Sequence, residues 1–356
     1  MVVFPPGAER RRLQYVLDLE AKALVQELCD RHFACELEFR AITRRYFEKL
    51  RPHIFGHELL SHVFPVWGTA EFLSSAPRFP ASAIPLWDAW RMLNNRLLEQ
   101  LQWVDIFESA DQETLIEISY QLLKFHLDLG TSLLLFGGRY EDTYAGRAAA
   151  LSSWISGGRR LGEPPFLSDI VERVSECTAF KLSPNERMGF LGIRLDESAE
   201  KLRENIRRFV VGLIPLVHAV WAWEAAQLAG LSSDEQLTDE SLRQRVLRYQ
   251  PQREKLRGWA KLILMPEVRK QPGFTRRALS LLLRGSPRYL VYLVATELFF
   301  RLPDILLKGP QDIELAGLEV YLPVRFARHS QEARMWWRLR SDVLTGWRLF
   351  LRNHWA

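Results

Sequence analysis

A mainly α-helical, multi-helix globular fold is what this sequence predicts, and three observations carry that prediction. Apolar residues recur at three- and four-residue spacing through most of the chain. Helix-start chemistry, in the form of capping serines and Ser-Pro pairs, punctuates it. One run, 209–231 (FVVGLIPLVHAVWAWEAAQLAGL), is apolar almost throughout, with only His218, Glu224 and Gln227 strongly polar.

Arg207 and Arg208 precede that run and Ser232, Ser233 and Asp234 follow it, so its ends are abrupt. A helix apolar on every side is either enclosed by other helices or crosses a bilayer. A glutamate in hydrocarbon costs a few kcal/mol, and His218, Gln227, Gly212 and Pro215 erode the run further. The expectation is a buried central helix over about 196–230, not a transmembrane span. Pro215 should bend it, because proline removes a backbone donor and crowds the preceding turn.

The other elements follow in order. Leu13, Leu17, Ala21, Leu24 and Leu28 predict an amphipathic helix from Ala8 to about Asp30, and a second runs from His32 to Leu50. Pro52 separates a shorter segment, His53–Phe64, from a proline-rich connection at 65–85. Helical spacing resumes over Trp87–Phe107. Ser109 and Gln112 form a capping box before a helix at Asp111–Leu129, and Thr131–Phe136 fits either a buried strand or a helix end. The glycine- and proline-rich stretch at 157–165 predicts a boundary near 160 between an N-terminal helical region and a C-terminal one built around the central helix. Ser183-Pro184 with Glu186, Ser232 with Glu235, Ser286-Pro287 and Ser330 all read as helix starts, the last opening a helix to about Arg352. Loose alternation about Gly317 predicts a small β-hairpin near 312–322. No repeat is visible at solenoid periods.

Composition excludes disorder and low complexity: 47% of residues are hydrophobic and 26% charged, near the averages for globular domains. Cys29, Cys35 and Cys177 contain no CxxC and cannot all pair, which points to a reducing, cytoplasmic setting. The start, MVVFPPGAERRR, has its basic residues after its apolar ones, the reverse of an export signal. Charge is divided along the chain. Residues 243–356 hold 22 of the 48 Lys and Arg but 9 of the 43 Asp and Glu, a net +13, leaving −8 for the remainder. Such asymmetry points to a polyanionic partner for the basic part.

No complete catalytic motif is present, and neither a metal nor a cofactor is expected. His53 and His57 stand one helical turn apart, but His62 falls out of line and Ser61 occupies the place of the second histidine of HExxH. A helical enzyme with a metal or small ligand near His53–His62 is the alternative from the enzyme class. Gly137-Gly138 and Gly157-Gly158 lack the spacing of phosphate loops, and Glu141 and Asp142 of FGGRYED have no matching carboxylate pair downstream. His218 should find its hydrogen-bond partner on another helix.

The last helix carries the clearest pattern. On an ideal wheel of about 100° per residue with Arg334 at zero, Arg338 falls at roughly 40°, Arg348 at roughly −40° and Arg352 at roughly 0°. Met335, Trp336, Leu339, Val343, Trp347 and Phe350 gather on the opposite face, and Trp337 borders the arginines. Arginine beside an aromatic ring suits phosphates and stacked bases. Arg276, Arg277 and Arg284 extend the basic region upstream. The sequence therefore predicts a non-catalytic subunit of a cytoplasmic multi-protein assembly that contacts nucleic acid or an acidic protein through this region. Peripheral membrane association through the tryptophan-bearing last helix is a further alternative.

Overall fold

The computed structural model describes residues 2–4, 10–30, 39, 41–64, 71–157, 164, 166–231, 238–309, 315, 317–325 and 335–352. The chain divides into two units, Met1–Pro85 and Leu86–Ala356.

In the first unit β1 (Val2–Phe4) pairs in parallel with β2 (Ala41–Thr43), Val2 opposite Ala41. The helix α1 (Arg10–Asp30) contributes Gln14, whose amide donates to the Phe39 carbonyl at 2.7 Å and accepts from the Ala41 N–H at 2.9 Å. One side chain thus satisfies two backbone groups where β2 begins. The short helices α2 (Arg44–Glu48), α3 (Ile54–His62) and α4 (Glu71–Ser74) follow. Ile42, Phe47 and Ala76 form a small core with Leu59, Leu60 and Leu73 against it. The helix expected over 32–50 is interrupted by β2, where adjacent β-branched Ile42 and Thr43 favour extended backbone.

The second unit begins with α5 (Leu86–Gln100), whose Ala89, Trp90, Leu93, Leu97 and Leu98 are buried at helical spacing. Next come α6 (Gln112–Phe136), α7 (Tyr144–Ser156) and α8 (Leu167–Leu182). Asp111 caps α6, its carboxylate accepting from the Thr114 N–H at 2.9 Å, so the cap is Asp111 and not Ser109. Thr131–Phe136 is the last part of α6. Gly138, at φ 65, ends the helix: the Arg139 N–H returns to the Leu134 carbonyl and the Gly138 N–H to that of Leu135. Gly137 admits Trp154, because a Cβ there would lie 2.4 Å from the indole.

A hairpin of β3 (Gly189–Phe190) and β4 (Ile193–Arg194) follows α8. Leu191 and Gly192 both have positive φ, the requirement of a tight primed turn. The Leu191 N–H donates to a Glu176 carboxylate oxygen on α8 at 2.5 Å, which holds a conformation unfavourable for leucine. The small hairpin of this fold therefore stands at 189–194. Near the expected 312–322, Leu318–Tyr321 form a 3₁₀ turn, and 311–314 and 316 lie outside the described residues. Ser183 ends α8 and starts the 3₁₀ turn Pro184–Glu186, with Pro184 at its first position as the sequence implies and no side-chain capping bond.

The central helix α9 (Ala199–Leu228) starts at Ser198 and ends at Gly230, φ 64, with the same backbone pattern as α6. It packs on α6, within the part of the chain before residue 160, while α6 and α7 pack on α8 beyond it. Helices on both sides of the glycine-rich stretch therefore share a core, and the unit boundary falls in the proline-rich segment at Pro85. By length and composition α9 could cross a membrane, and 56% of its most apolar window is buried in the protein. Within the apolar run of 209–228 its exposed positions are Gly212, Pro215 and Gln227, so Pro215 sits where its missing N–H matters least to the core. Beyond it lie α10 (Asp239–Tyr249), α11 (Gln252–Leu264), α12 (Pro266–Arg269), α13 (Phe274–Leu282), α14 (Pro287–Phe300), α15 (Leu302–Lys308) and α16 (Met335–Arg352). Ser286-Pro287 starts α14 as its sequence implies, whereas Ser232, Glu235 and Ser330 lie outside the described residues. α5 packs on both α6 and α14, and α14 packs on α10, α11 and α16.

Two buried titratable groups near the centre pull stability in opposite directions with pH. Burial pushes the Glu224 carboxyl up to about 8, with Ser132 on α6 opposing the shift, and neither group makes a hydrogen bond of good geometry. Burial pushes His126 down to about 4; its Nδ1 donates to the Leu122 carbonyl, and nearby Arg173 adds to the fall. Stability from neutral His126 is lost as pH falls from 6.5 towards 4, and stability from protonated Glu224 is lost as pH rises from 4.5 towards 8. The two oppose each other between pH 4.5 and 6.5, and Glu224 acts alone above that range. Unfolding by denaturant should show stability falling from pH 6.5 to 8, with Glu224→Gln flattening the decline.

Candidate functional site

The apolar face predicted for α16 is the face that docks. Trp336, Leu339, Val343, Trp347 and Phe350 are buried, and the indole N–H groups of Trp336 and Trp347 reach the Leu298 carbonyl (3.3 Å) and Asn95 Oδ1 (3.0 Å). The decisive residue was missed by the wheel. Arg340 is buried between the two faces, its Nε donating to the Leu101 carbonyl at 2.5 Å and its Nη2 to that of Gln102 at 2.8 Å. Nη2 also pairs with Asp105 at 2.6 Å, and the guanidinium lies 5.5 Å from the centre of the Trp337 ring. Leu101 and Gln102 directly follow α5, so Arg340 meets the carbonyl-rich, negative end of that helix. Its exclusion from the arginine stripe was the only sequence signal for this role.

Of the four stripe arginines, Arg334 lies outside the described residues, as does the side chain of Arg352. Arg348 is exposed and Arg338 half-buried, its Nη2 resting 2.9 Å from Met335 Sδ. Trp337 is no open platform for a base, since Arg340 covers it and Trp336 meets it edge-on at 4.8 Å. Arg276 on α13 is exposed. Neighbouring Arg277 is half-buried, donates to the Pro272 carbonyl at 3.0 Å, and is pulled below its usual pKa by burial and Arg325, against Asp342. Arg284 lies over the Tyr321 ring at 5.6 Å.

The structure adds a cluster that the sequence reading did not assemble. Arg257 and Lys261 on α11 converge with Arg288 on α14, and the Lys261 amine is pushed down by burial and by those two guanidinium groups. Arg288 in turn covers Phe350 of α16 at 5.9 Å. This convergence is built in. Trp259 donates to the Gly285 carbonyl at 2.8 Å, and Gly258 lets α11 approach closely, a Cβ there falling 3.0 Å from Pro287. Glu254 ties α11 to Arg91 on α5 (3.1 Å) and to the Tyr289 hydroxyl on α14 (3.1 Å). Among the described residues, Arg257, Arg276, Arg284, Arg288, Arg338 and Arg348 have no carboxylate partner. Buried Arg243 and Arg340, by contrast, are paired with Glu297 and Asp105.

The other candidates have structural work. The His53 ring accepts from the Gly56 N–H at 2.9 Å and so caps α3, and His57 Nδ1 meets the Phe79 carbonyl at 3.2 Å. No group of three or more His, Cys, Asp or Glu able to hold a metal occurs among the described residues. In FGGRYED, Glu141 and Asp142 offer their backbone carbonyls to buried Arg147 at 2.9 and 3.0 Å. Burial raises the Cys177 thiol well above its usual range, the opposite of an activated nucleophile. His218 pairs with Asp239 on α10 at 2.7 Å. A small cavity of about 20 Å³, room for about one water, is lined by Trp90, Asn94, Trp221, Arg243 and Tyr292 among others. No family model matches the chain, nor does any curated protein or solved structure.

If Arg340 anchors α16 and Arg348 serves only its outer face, the two should separate in a thermal or denaturant melt. Arg340→Met, which strands two buried carbonyls and Asp105, should cost about 2–4 kcal/mol. Arg348→Gln should change stability by less than about 0.5 kcal/mol.

Proposed function

We propose that this protein is a non-catalytic interaction subunit that contacts nucleic acid through the basic surface of α11, α13, α14 and α16. One observation carries the reading: α11 and α14 meet closely at Gly258 and Pro287, which brings Arg257 and Lys261 of one helix beside Arg288 of the other. Burial together with the two guanidinium groups pushes the Lys261 amine down. Packing like charges costs free energy in the isolated protein, and a row of phosphates offsets that cost. Arg276, Arg284, Arg338 and Arg348 supply further guanidinium groups on neighbouring elements without carboxylate partners among the described residues.

The aromatic rings near these arginines are covered by them, as Tyr321 is by Arg284 and Phe350 by Arg288. The contact proposed is therefore with the phosphate backbone, strong in electrostatics and weak in base preference. An acidic protein is the second reading, favoured by the leucines exposed beside Arg257 and Arg276. A cytoplasmic, multi-protein setting is part of the proposal and rests on cysteine usage and on the opposite charge of the two parts of the chain.

Arg257, Arg284 and Arg348 are exposed, so Arg257→Glu, Arg284→Glu and Arg348→Glu together should leave the fold intact. Fluorescence anisotropy with a labelled oligonucleotide of about 30 nucleotides should give affinity that falls steeply between roughly 50 and 200 mM salt. The triple variant should bind at least about tenfold more weakly and lower the salt slope by about two to three. Wild-type affinity indifferent to salt would sink the proposal.

A further inference from the structure

We propose that α11 and α13 together form a docking face for an anionic lipid surface. The proposal rests on where aliphatic side chains stand. Leu256 is 65% exposed, Leu264 74%, Leu279 66% and Leu283 85%, with Ile263 also exposed. Leu256, Ile263 and Leu264 share the outer side of α11, at intervals of seven and eight residues, while Leu279 and Leu283 stand one turn apart on α13. The two helices pack on each other, and Lys255 Nζ on α11 donates to the Leu283 carbonyl at 2.9 Å. The five aliphatic side chains thus belong to one two-helix layer.

Nothing in the fold requires them. Trp259 and Leu262 hold α11, and Phe274, Ala278 and Leu281 hold α13, from the opposite sides. Grouped aliphatic exposure of this kind marks a surface that meets something apolar. What rims it identifies the occupant's charge, because Arg253, Arg257 and Arg276 are exposed on the same two helices. Leucines at this degree of exposure project outward, whereas side chains lining a protein groove are shaded by its walls. Projecting leucines among arginines match a bilayer surface, with aliphatic groups entering the acyl boundary and guanidinium groups at the level of anionic headgroups. Of the α16 tryptophans offered for this role by the sequence, Trp336 and Trp347 are buried and Trp337 is half-buried under Arg340, so the face lies on different helices from the one expected. Arg257 and Arg276 are common to this face and to the proposed nucleic-acid contact, whereas the exposed aliphatic side chains belong to this face alone.

The test is co-sedimentation of the full chain with vesicles of phosphatidylcholine containing roughly one third phosphatidylserine, beside vesicles of phosphatidylcholine alone. The expected result is binding to the anionic vesicles at least about tenfold stronger than to the neutral ones. Leu264→Gln with Leu283→Gln, which adds no charge beside the arginines, should abolish it while leaving oligonucleotide affinity and helical content unchanged, because both side chains are exposed. Arg253→Glu with Arg276→Glu should weaken it about tenfold. The proposal is overturned by absence of binding to either vesicle, or by binding that survives the leucine variant. It is equally overturned if the leucine variant abolishes only self-association of the protein or only binding of an acidic amphipathic peptide, since the occupant is then a protein.

Discussion

The buried guanidinium of Arg340 is the interaction on which the arrangement of the C-terminal part depends. An apolar helix face can shed water in many rotations, but a charge taken out of water tolerates few. By meeting the Leu101 and Gln102 carbonyls and Asp105, Arg340 fixes α16 about its own axis. That rotation turns Leu339 and Val343 onto the core and leaves Arg348 in solvent. The same element supplies Phe350 beneath Arg288, so the position of the α11–α14 cluster is coupled to it through α14.

Arginine is used in two ways in this protein. Arg243 and Arg340 are buried and paired, and each holds separate helices together. Arg257, Arg284 and Arg348 are exposed and have no carboxylate partner among the described residues, Arg284 lying over the Tyr321 ring. The division gives the charge asymmetry of the sequence a physical content. Part of the excess is consumed internally, and part stands exposed, on α11, α13 and α16 and also on α10, α12 and α15. Glu224 illustrates the reverse case, a carboxyl buried so thoroughly that it holds its proton near neutral pH.

What was legible in the sequence depended on the range of the signal. The central helix announced itself by composition alone, and α14 by Ser286-Pro287, because both signals are local. The apolar face of α16 was likewise readable from period. The hairpin at 189–194 was not, since two-residue strands are too short to show alternation and its turn places a leucine at positive φ. Nor was the Arg257, Lys261 and Arg288 cluster, which depends on a long-range approach of α11 to α14 at Gly258 and Pro287. Periodicity also could not say that the outer sides of α11 and α13 keep their leucines uncovered, because a pattern of apolar residues does not state whether anything covers them. FGGRYED, set aside in the sequence as lacking a matching carboxylate pair, is a loop whose Glu141 and Asp142 backbone carbonyls hold Arg147, a role no motif spells out.

The central claim is that one region of this protein, and no other, meets the phosphate backbone. Hydrogen exchange of the full chain with and without a saturating oligonucleotide tests it most directly. The account predicts slowed exchange confined to α11, α13, the start of α14 and α16. Protection concentrated before residue 243, or exchange unchanged throughout, would contradict it.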